Sequence, residues 1–257
     1  MRLYDLSALY SSLYICGDIH GKFKTLLYDV KRFEIENAII LVAGDCGIGF
    51  EKSTYYKQLY NKLSVTLKKT NNLLLLLRGN HDDPAYFDGE KINFPYMKAI
   101  PDYSILKFSE HIILCIGGAI SIDRQERKDI MWLRQLRNQE ARKFYWENEC
   151  PIFDTISFCE ISQSNLFIDM VVTHTAPSFC YPTSKIGING WFERDVALKI
   201  DLATERLTID KIYNRLLSDK HPVKDWFYGH FHNSHIEYIS DIRFTLLNIG
   251  ELKKVEP

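Results

Sequence analysis

The sequence contains no block of like charge and no long apolar run. Its 32 Lys and Arg residues and 33 Asp and Glu residues give a formal net charge of -1. Sequence-independent binding to nucleic acid relies on many contacts between Lys or Arg and phosphate, so long nucleic acid is not an expected partner. No apolar run approaches the roughly 20 residues that a membrane helix needs. We therefore predict no association with a membrane.

The sequence also lacks a C-x-x-C pair and a convincing signal peptide. Its N-terminal segment has Asp5 early and no long apolar core. Several of the six cysteines lie inside apolar runs such as ILCIG. Buried free thiols in a reducing compartment explain this pattern better than a disulfide framework. The predicted location is the cytoplasm.

Short apolar runs recur along the 257 residues and indicate strands buried on both faces. Between them, Phe23, Leu26, Leu27 and Val30 form an amphipathic helical stripe, and residues 55–67 show a second one. Alternating strands and helices predict an α/β fold with parallel pairing. EYIS and IRFTLLNIG, near the C-terminus, resemble a hairpin, so the sheet is predicted to be mixed. We expect a single domain over 1–257, with a helical insertion around 124–150.

Polar motifs follow the apolar runs at the points where the strands should end. They are GDIHG, GDCG, RGNHDD, THTAP and GHFH, and they contain Asp18, His20, Asp45, Asn80, His81, His174, His230 and His232. Ligand sites in open α/β sheets lie beyond the carboxyl ends of the strands. Carboxylate and imidazole ligands together suit Mn, Fe or Zn better than Ca or Mg. The candidate ligands exceed what one tetrahedral ion needs and suffice for two ions that share a carboxylate.

These motifs, in this order, resemble those of the calcineurin-like metallophosphoesterase superfamily. The family pattern is D-x-H, G-D, G-N-H-[DE], a later H and then G-H-x-H, which here covers residues 15 to 232. The resemblance implies a two-sheet mixed β-sandwich flanked by helices, in four α/β/β/α layers. It also implies two divalent metal ions per chain, for which Mn²⁺ is favoured and Fe or Zn are the alternatives. One ion would be bound by Asp18, His20 and His232, the other by Asn80, His174 and His230, and Asp45 would bridge them.

The resemblance further implies that a bridging hydroxide hydrolyses a phosphate ester and that His81 is the general acid. Asp82 either orients His81 or satisfies the backbone of its loop. Arg78 either binds phosphate through two hydrogen bonds or forms an ion pair elsewhere. These three residues are the predicted catalytic group.

A second candidate element, GGAISIDRQER, follows the ILCIGG run. It places Asp123, Arg124 and Arg127 near the same sheet edge, where they are predicted to bind substrate. The alternative is that they begin a solvated helix. The neighbouring segment 173–192 either lines the pocket or merely connects two elements.

One motif departs from the Ser/Thr protein phosphatases, whose second motif is G-D-x-V-D-R-G. Here the chain reads GDCGIGF, without that aspartate and arginine. The predicted function is a phosphatase, either Ser/Thr-phosphatase-like or specific for small phosphomonoesters. The alternative is a phosphodiesterase or nuclease that acts on nucleotides or nucleic acid. The predicted partner is a phosphorylated substrate, and the sequence favours no oligomeric state.

Overall fold

Two mixed β-sheets form the centre of the molecule. The computed structural model describes residues 1–137, 143–183 and 187–256. Within them the strands are β1 (Arg2–Asp5), β2 (Ser12–Cys16), β3 (Ala38–Val42), β4 (Leu73–Leu76), β5 (Asn93–Phe94), β6 (Met97–Ala99), β7 (Ser104–Phe108), β8 (His111–Ile116), β9 (Met170–Thr173), β10 (Asp225–Tyr228), β11 (His235–Ile239), β12 (Ile242–Leu246) and β13 (Leu252–Lys254). The α-helices are α1 (Phe23–Arg32), α2 (Ser53–Lys69), α3 (Arg124–Leu136), α4 (Thr155–Gln163), α5 (Asn189–Arg194) and α6 (Leu198–Ser218).

The two sheets share a parallel centre and antiparallel edges. One has the order β1-β7-β8-β9-β10-β12-β11 and the other β13-β2-β3-β4-β6-β5. Strands β2, β3, β4 and β6 pair in parallel, as do β8, β9, β10 and β12. The predicted C-terminal hairpin is confirmed, because β11 and β12 pair antiparallel around Ser240 and Asp241. Both turn residues have positive φ, 49° and 63°, as a two-residue hairpin turn requires.

Three apolar clusters separate four layers. The first packs α1 and α2 against the β2–β3–β4 sheet, and the second packs α4 and α6 against the other sheet. The third lies between the sheets, where Leu41 and Leu75 meet Cys115 and Val172. Strands in both sheets therefore bury both faces, which is why their sequences are continuously apolar. This α/β/β/α arrangement confirms the predicted fold class.

The structure confirms the predicted helical stripes, because α1 buries Phe23, Leu26, Leu27 and Val30. In the described part of segment 124–150, the helical residues are those of α3. Residues 143–150 contain no helix, which corrects the prediction for that part, and residues 138–142 lie outside the described chain. No helix in the described residues is both long and apolar enough to cross a bilayer.

Candidate metal centre

The parallel strands end level with one another and so deliver their polar motifs to one edge. Cys16 pairs with Val42, and Val42 with Leu76, at the carboxyl ends of β2, β3 and β4. Asp18 follows its strand by two positions, Asp45 by three and Asn80 by four. In the other sheet, Val172 pairs with Phe227, and His174 and His230 follow these positions by two and three residues.

Hydrogen bonds between the sheets hold the two sets of loops together. The backbone N–H of His230 donates to Oδ1 of Asp18 at 3.0 Å. The Nδ1–H of His174 donates to the carbonyl of Ala43 at 2.8 Å. This bond directs Nε2 of His174 toward the centre of the site, because a neutral imidazole that donates from one nitrogen presents a lone pair on the other.

One group of ligand atoms converges around Asp18. Ligand atoms of Asp18, His20, Asp45 and His232 lie within 4.8 Å of one another. Nε2 of His232 is 3.1 Å from Nε2 of His20 and 3.1 Å from Oδ2 of Asp18. Oδ2 is buried, and no group in the described chain satisfies it with a hydrogen bond. A buried carboxylate oxygen without a donor is costly unless a cation completes it.

A second group surrounds His174. Its Nε2 lies 3.1 Å from Oδ1 of Asn80 and 3.2 Å from Oδ1 of Asp45. The ring of His230 stands 5.1 Å from that of His174, centroid to centroid. Asp45 connects the two groups, because its other oxygen, Oδ2, is 3.8 Å from Nδ1 of His20.

Charges within the site favour cations. Burial acts to raise the pKa of Asp45, but His174, followed by His81 and His20, lowers that pKa well below its usual value. For His174, burial acts to lower the pKa, but the charges of Asp45 and Asp18 raise it to about 9. The two buried carboxylates therefore draw positive charge to the position where a metal ion would be bound. The donor set, two carboxylates with an amide and four imidazoles, suits Mn, Fe or Zn.

Four of these residues adopt a left-handed backbone. His20, Asp45, His230 and His232 have φ of 44°, 49°, 67° and 52°. Positions 44 and 79 also require glycine, because the backbone there passes very close to the side chains of His174 and Asp45. A Cβ on Gly44 would lie 2.1 Å from Nδ1 of His174, and one on Gly79 would lie 2.2 Å from Oδ1 of Asp45.

His81 borders the ligand groups and contacts helix α3. Its backbone N–H donates to Oδ1 of Asp45 at 2.7 Å. Nη2 of Arg127 lies 2.8 Å from Nε2 of His81. Burial lowers the pKa of His81 to about 4, an effect that Asp45 opposes and Arg127 reinforces. Arg127 is itself held by Oδ2 of Asp123 at 2.8 Å and by the carbonyl of Phe144 at 3.2 Å.

Asp82 joins the second and third motifs through their backbones. Its buried carboxylate accepts hydrogen bonds from the N–H groups of Cys46, Ile48 and Gly79 at 2.9, 2.8 and 2.7 Å. This geometry corresponds to the alternative in which Asp82 satisfies the loop backbone rather than orienting the ring of His81. One side chain thus sets the spacing between the loops of Asp45 and Asn80.

We predict that Asp82→Asn destabilises the fold. An amide has one acceptor oxygen, so at least one of the three backbone N–H groups loses its partner, at a cost of about 1–3 kcal/mol. Urea unfolding of chelator-treated protein measures this loss. Asp83→Asn is the matched control, because Asp83 accepts a single N–H, from Ala85, and asparagine retains that acceptor. Equal unfolding midpoints for the two variants would contradict the role given to Asp82.

Two predicted phosphate-binding arginines are directed elsewhere. Arg78 is buried, and its donors are engaged by Oδ2 of Asp102 and by the carbonyls of residues 148–150. Arg124 donates to Asp195 and Asp201. Neither side chain lines the cleft beside the ligand groups. We therefore correct both assignments: these arginines anchor segments of the scaffold.

The sequence did not predict which residues hold the side chain of Asn80. Its Nδ2 donates to Oγ of Ser121 at 3.0 Å, and that hydroxyl donates to Oε2 of Glu149 at 2.7 Å. Ser121 and Glu149 together fix which end of the Asn80 amide faces His174. Ser121 lies in the GGAISID motif, which was the available signal, whereas nothing near Glu149 in the sequence indicated this contact.

A cleft of about 890 Å³ opens over the ligand groups. Asp45, Asn80, His81, Asp123, His230 and His232 are among the polar residues that line it. Its other lining residues include Ile122, Phe179, Tyr181, Pro182, Thr183, Trp191, Phe231, Asn233, His235 and Glu237. Within the described part of segment 173–192, five residues thus line the cleft: Phe179, Tyr181, Pro182, Thr183 and Trp191. Residues 184–186 lie outside the described chain.

The four-layer fold and the Asp/His cluster at its edge define a phosphoric ester hydrolase. The chain belongs to the calcineurin-like phosphoesterase family, whose characteristic sequence matches residues 11–234. That family generally binds a dinuclear divalent metal centre. No curated protein sequence matches the chain.

Solved structures whose backbone resembles that of this chain include three hydrolases that have low sequence identity to it. Phosphopantetheinyl hydrolase from Mycobacterium tuberculosis is 12% identical with a TM-score of 0.46, over 97% of each chain. A putative 5′-nucleotidase from Staphylococcus aureus is 9% identical with a TM-score of 0.43, over 93% of this chain and 48% of that one. A cold-active protein-tyrosine phosphatase from a Shewanella species is 13% identical with a TM-score of 0.40, over 100% of this chain and 77% of that one.

Proposed function

We propose that the chain is a phosphatase that hydrolyses small phosphomonoesters with two divalent cations. The observation that carries this proposal is the convergence of five loops from two sheets on one cluster of donors. Asp18, His20 and His232 would hold one cation, and Asn80, His174 and His230 the other. Asp45 would bridge them, since its two oxygens face the two groups.

Mn²⁺ is the proposed metal, with Fe and Zn as alternatives, because these ions accept mixed carboxylate and imidazole ligands. Bound cations would polarise the phosphoryl oxygens and lower the pKa of a bound water toward ~7. The protein itself supplies orientation and a proton. The proposed location is the cytoplasm, where the six free cysteines would remain reduced.

His81 is the proposed general acid for the leaving alcohol. It borders the ligand groups and faces the cleft, and its backbone is fixed by Asp45. A phosphate dianion in the cleft would place negative charge beside the ring and favour its protonated form.

Arg127 is the proposed phosphate-binding residue, with Asp123 holding its guanidinium. GDCGIGF lacks the arginine found in the second motif of Ser/Thr phosphatases. Helix α3 brings Arg127 to His81 from another part of the chain. Nη2 of Arg127, which contacts the His81 ring, would hydrogen-bond a phosphate bound beside that ring.

We expect Arg127→Met to raise KM for a phosphomonoester by about 10- to 100-fold, since a hydrogen bond to a charged group contributes about 1.5–3 kcal/mol. Initial rates over a range of substrate concentrations measure this change. Arg134→Met is the control: Arg134 lies on the same helix and stacks on Phe144 at 4.6 Å, away from His81. An unchanged KM in Arg127→Met would exclude Arg127 as the phosphate-binding residue.

The decisive assay compares p-nitrophenyl phosphate with bis-p-nitrophenyl phosphate, using protein that carries two Mn²⁺ ions per chain. Faster turnover of the monoester is expected. Faster turnover of the diester would favour the phosphodiesterase or nuclease alternative. Turnover of neither, at full metal content, would refute the proposal.

A further inference from the structure

Four aromatic residues are among those that line the cleft. Phe179, Tyr181, Trp191 and Phe231 line it, and we name these four residues the aromatic wall. We propose that the aromatic wall binds the leaving group and selects phosphomonoesters whose leaving group carries a planar aromatic ring. This inference rests on the proposed phosphatase function and specifies its substrate class.

Phe231 places the wall directly beside the metal ligands. It lies between His230 and His232 in the sequence, and its ring is 4.9 Å from that of His230 at an angle of 73°. The guanidinium of Arg206 lies 5.1 Å from the ring centroid of Phe231. A leaving group that extends past His230 would therefore meet the ring of Phe231.

Tyr181 is held in place and yet remains accessible. Its hydroxyl accepts a hydrogen bond from Nδ2 of Asn233 at 2.9 Å, and its N–H donates to Oε1 of Glu237 at 2.7 Å. Its carbonyl accepts from the hydroxyl of Tyr228 at 2.7 Å. The residue is nevertheless 40% exposed. Because hydrogen bonds already fix Tyr181, the stacking of a second ring on it loses little conformational entropy.

The dimensions of the cleft also indicate an organic leaving group. Its volume of about 890 Å³ lies within the roughly 300–1,000 Å³ typical of small-molecule sites and far exceeds what a phosphate alone occupies. The lining combines polar residues such as His81 and Asp123 with the four rings of the aromatic wall. A substrate that carries both a phosphate and a ring matches this mixed lining.

Two phosphonates of similar size test the wall without any turnover. We expect phenylphosphonate to bind the Mn²⁺-loaded protein roughly two- to tenfold more tightly than cyclohexylphosphonate, since aromatic pairs are favoured beyond their buried area. Titration calorimetry measures both affinities. Tyr181→Leu should abolish most of the preference, and Tyr181→Phe should retain it. Tyr238→Leu, which removes an exposed tyrosine on β11 outside the cleft, should change nothing.

Equal affinities for the two phosphonates, or an undiminished preference in Tyr181→Leu and in Trp191→Leu alike, would overturn the proposal. Kinetic measurements distinguish an aryl leaving group from a nucleoside leaving group. Tyrosine phosphate and adenosine 5′-monophosphate represent aryl and nucleoside leaving groups, and glycerol phosphate is the alkyl control. A kcat/KM for either ring substrate that exceeds the value for glycerol phosphate and loses that excess in Tyr181→Leu supports the proposal and identifies the ring. An excess that Tyr181→Leu leaves unchanged, or a higher value for glycerol phosphate, refutes it. A phosphonate preference without hydrolysis of any ester would refute the phosphatase function alone and support ring selection.

Discussion

Replacing His81 with alanine is expected to lower kcat by about 10²–10⁴-fold for a phosphomonoester with an alkyl leaving group, the range that a positioned acid contributes. An alkoxide needs a proton as it leaves, whereas nitrophenolate leaves without one. The loss should therefore be much smaller for p-nitrophenyl phosphate. Metal content should remain two ions per chain, because the backbone N–H that His81 donates to Asp45 is present in alanine as well.

The dependence on the leaving group separates acid catalysis from positioning. Equal losses for alkyl and nitrophenyl substrates would assign His81 to phosphate binding or orientation, and a normal rate on the alkyl substrate would exclude the acid role. His111→Ala is a matched control. That histidine bonds Asp169 and the carbonyl of Glu256, outside the cleft, so its loss should alter stability and not kcat.

Asp45→Asn is expected to have the largest effect on activity. Asp45 faces both ligand groups, and asparagine would remove its charge and present an N–H₂ group toward a cation or toward the N–H of His81. A bound metal ion stabilises the transition state by several kcal/mol. If that stabilisation is lost, kcat/KM is expected to fall by about 10³-fold or more. Elemental analysis should show fewer than two ions per chain.

A carboxylate outside the site provides the comparison for Asp45. Asp88 is exposed and accepts the N–H groups of Glu90 and Lys91, so Asp88→Asn should retain metal content and kcat/KM. Two bound ions and a normal kcat/KM in Asp45→Asn would show that Asp45 does not bridge the two ions.

The ligand motifs were predictable because they depend on local rules. A continuously apolar strand such as Leu73–Leu76 is buried on both faces, and parallel neighbours end at the same edge. The residues that follow each strand must then meet, wherever the helices lie. The pairing of the strands was the only long-range contact that this prediction needed.

The arginines were harder to place because a long side chain takes its direction from distant partners. Arg78 follows the leucine strand as closely as Asn80 does, yet Asp102 and the carbonyls of residues 148–150 direct it away from the cleft. Arg124 and Arg127 are one turn apart on α3, and only Arg127 meets His81. The aromatic wall likewise combines three segments whose proximity no local pattern indicates.

The left-handed backbone of the four proposed ligand residues has a consequence for the stability of the chain. Each non-glycine residue in that conformation costs the folded chain about 1–2 kcal/mol, so His20, Asp45, His230 and His232 oppose folding while they aim their donors. Glycine at any of them would relieve the strain and remove a proposed metal ligand. Substitutions that raise thermal stability and substitutions that keep a metal site would therefore conflict at these four positions.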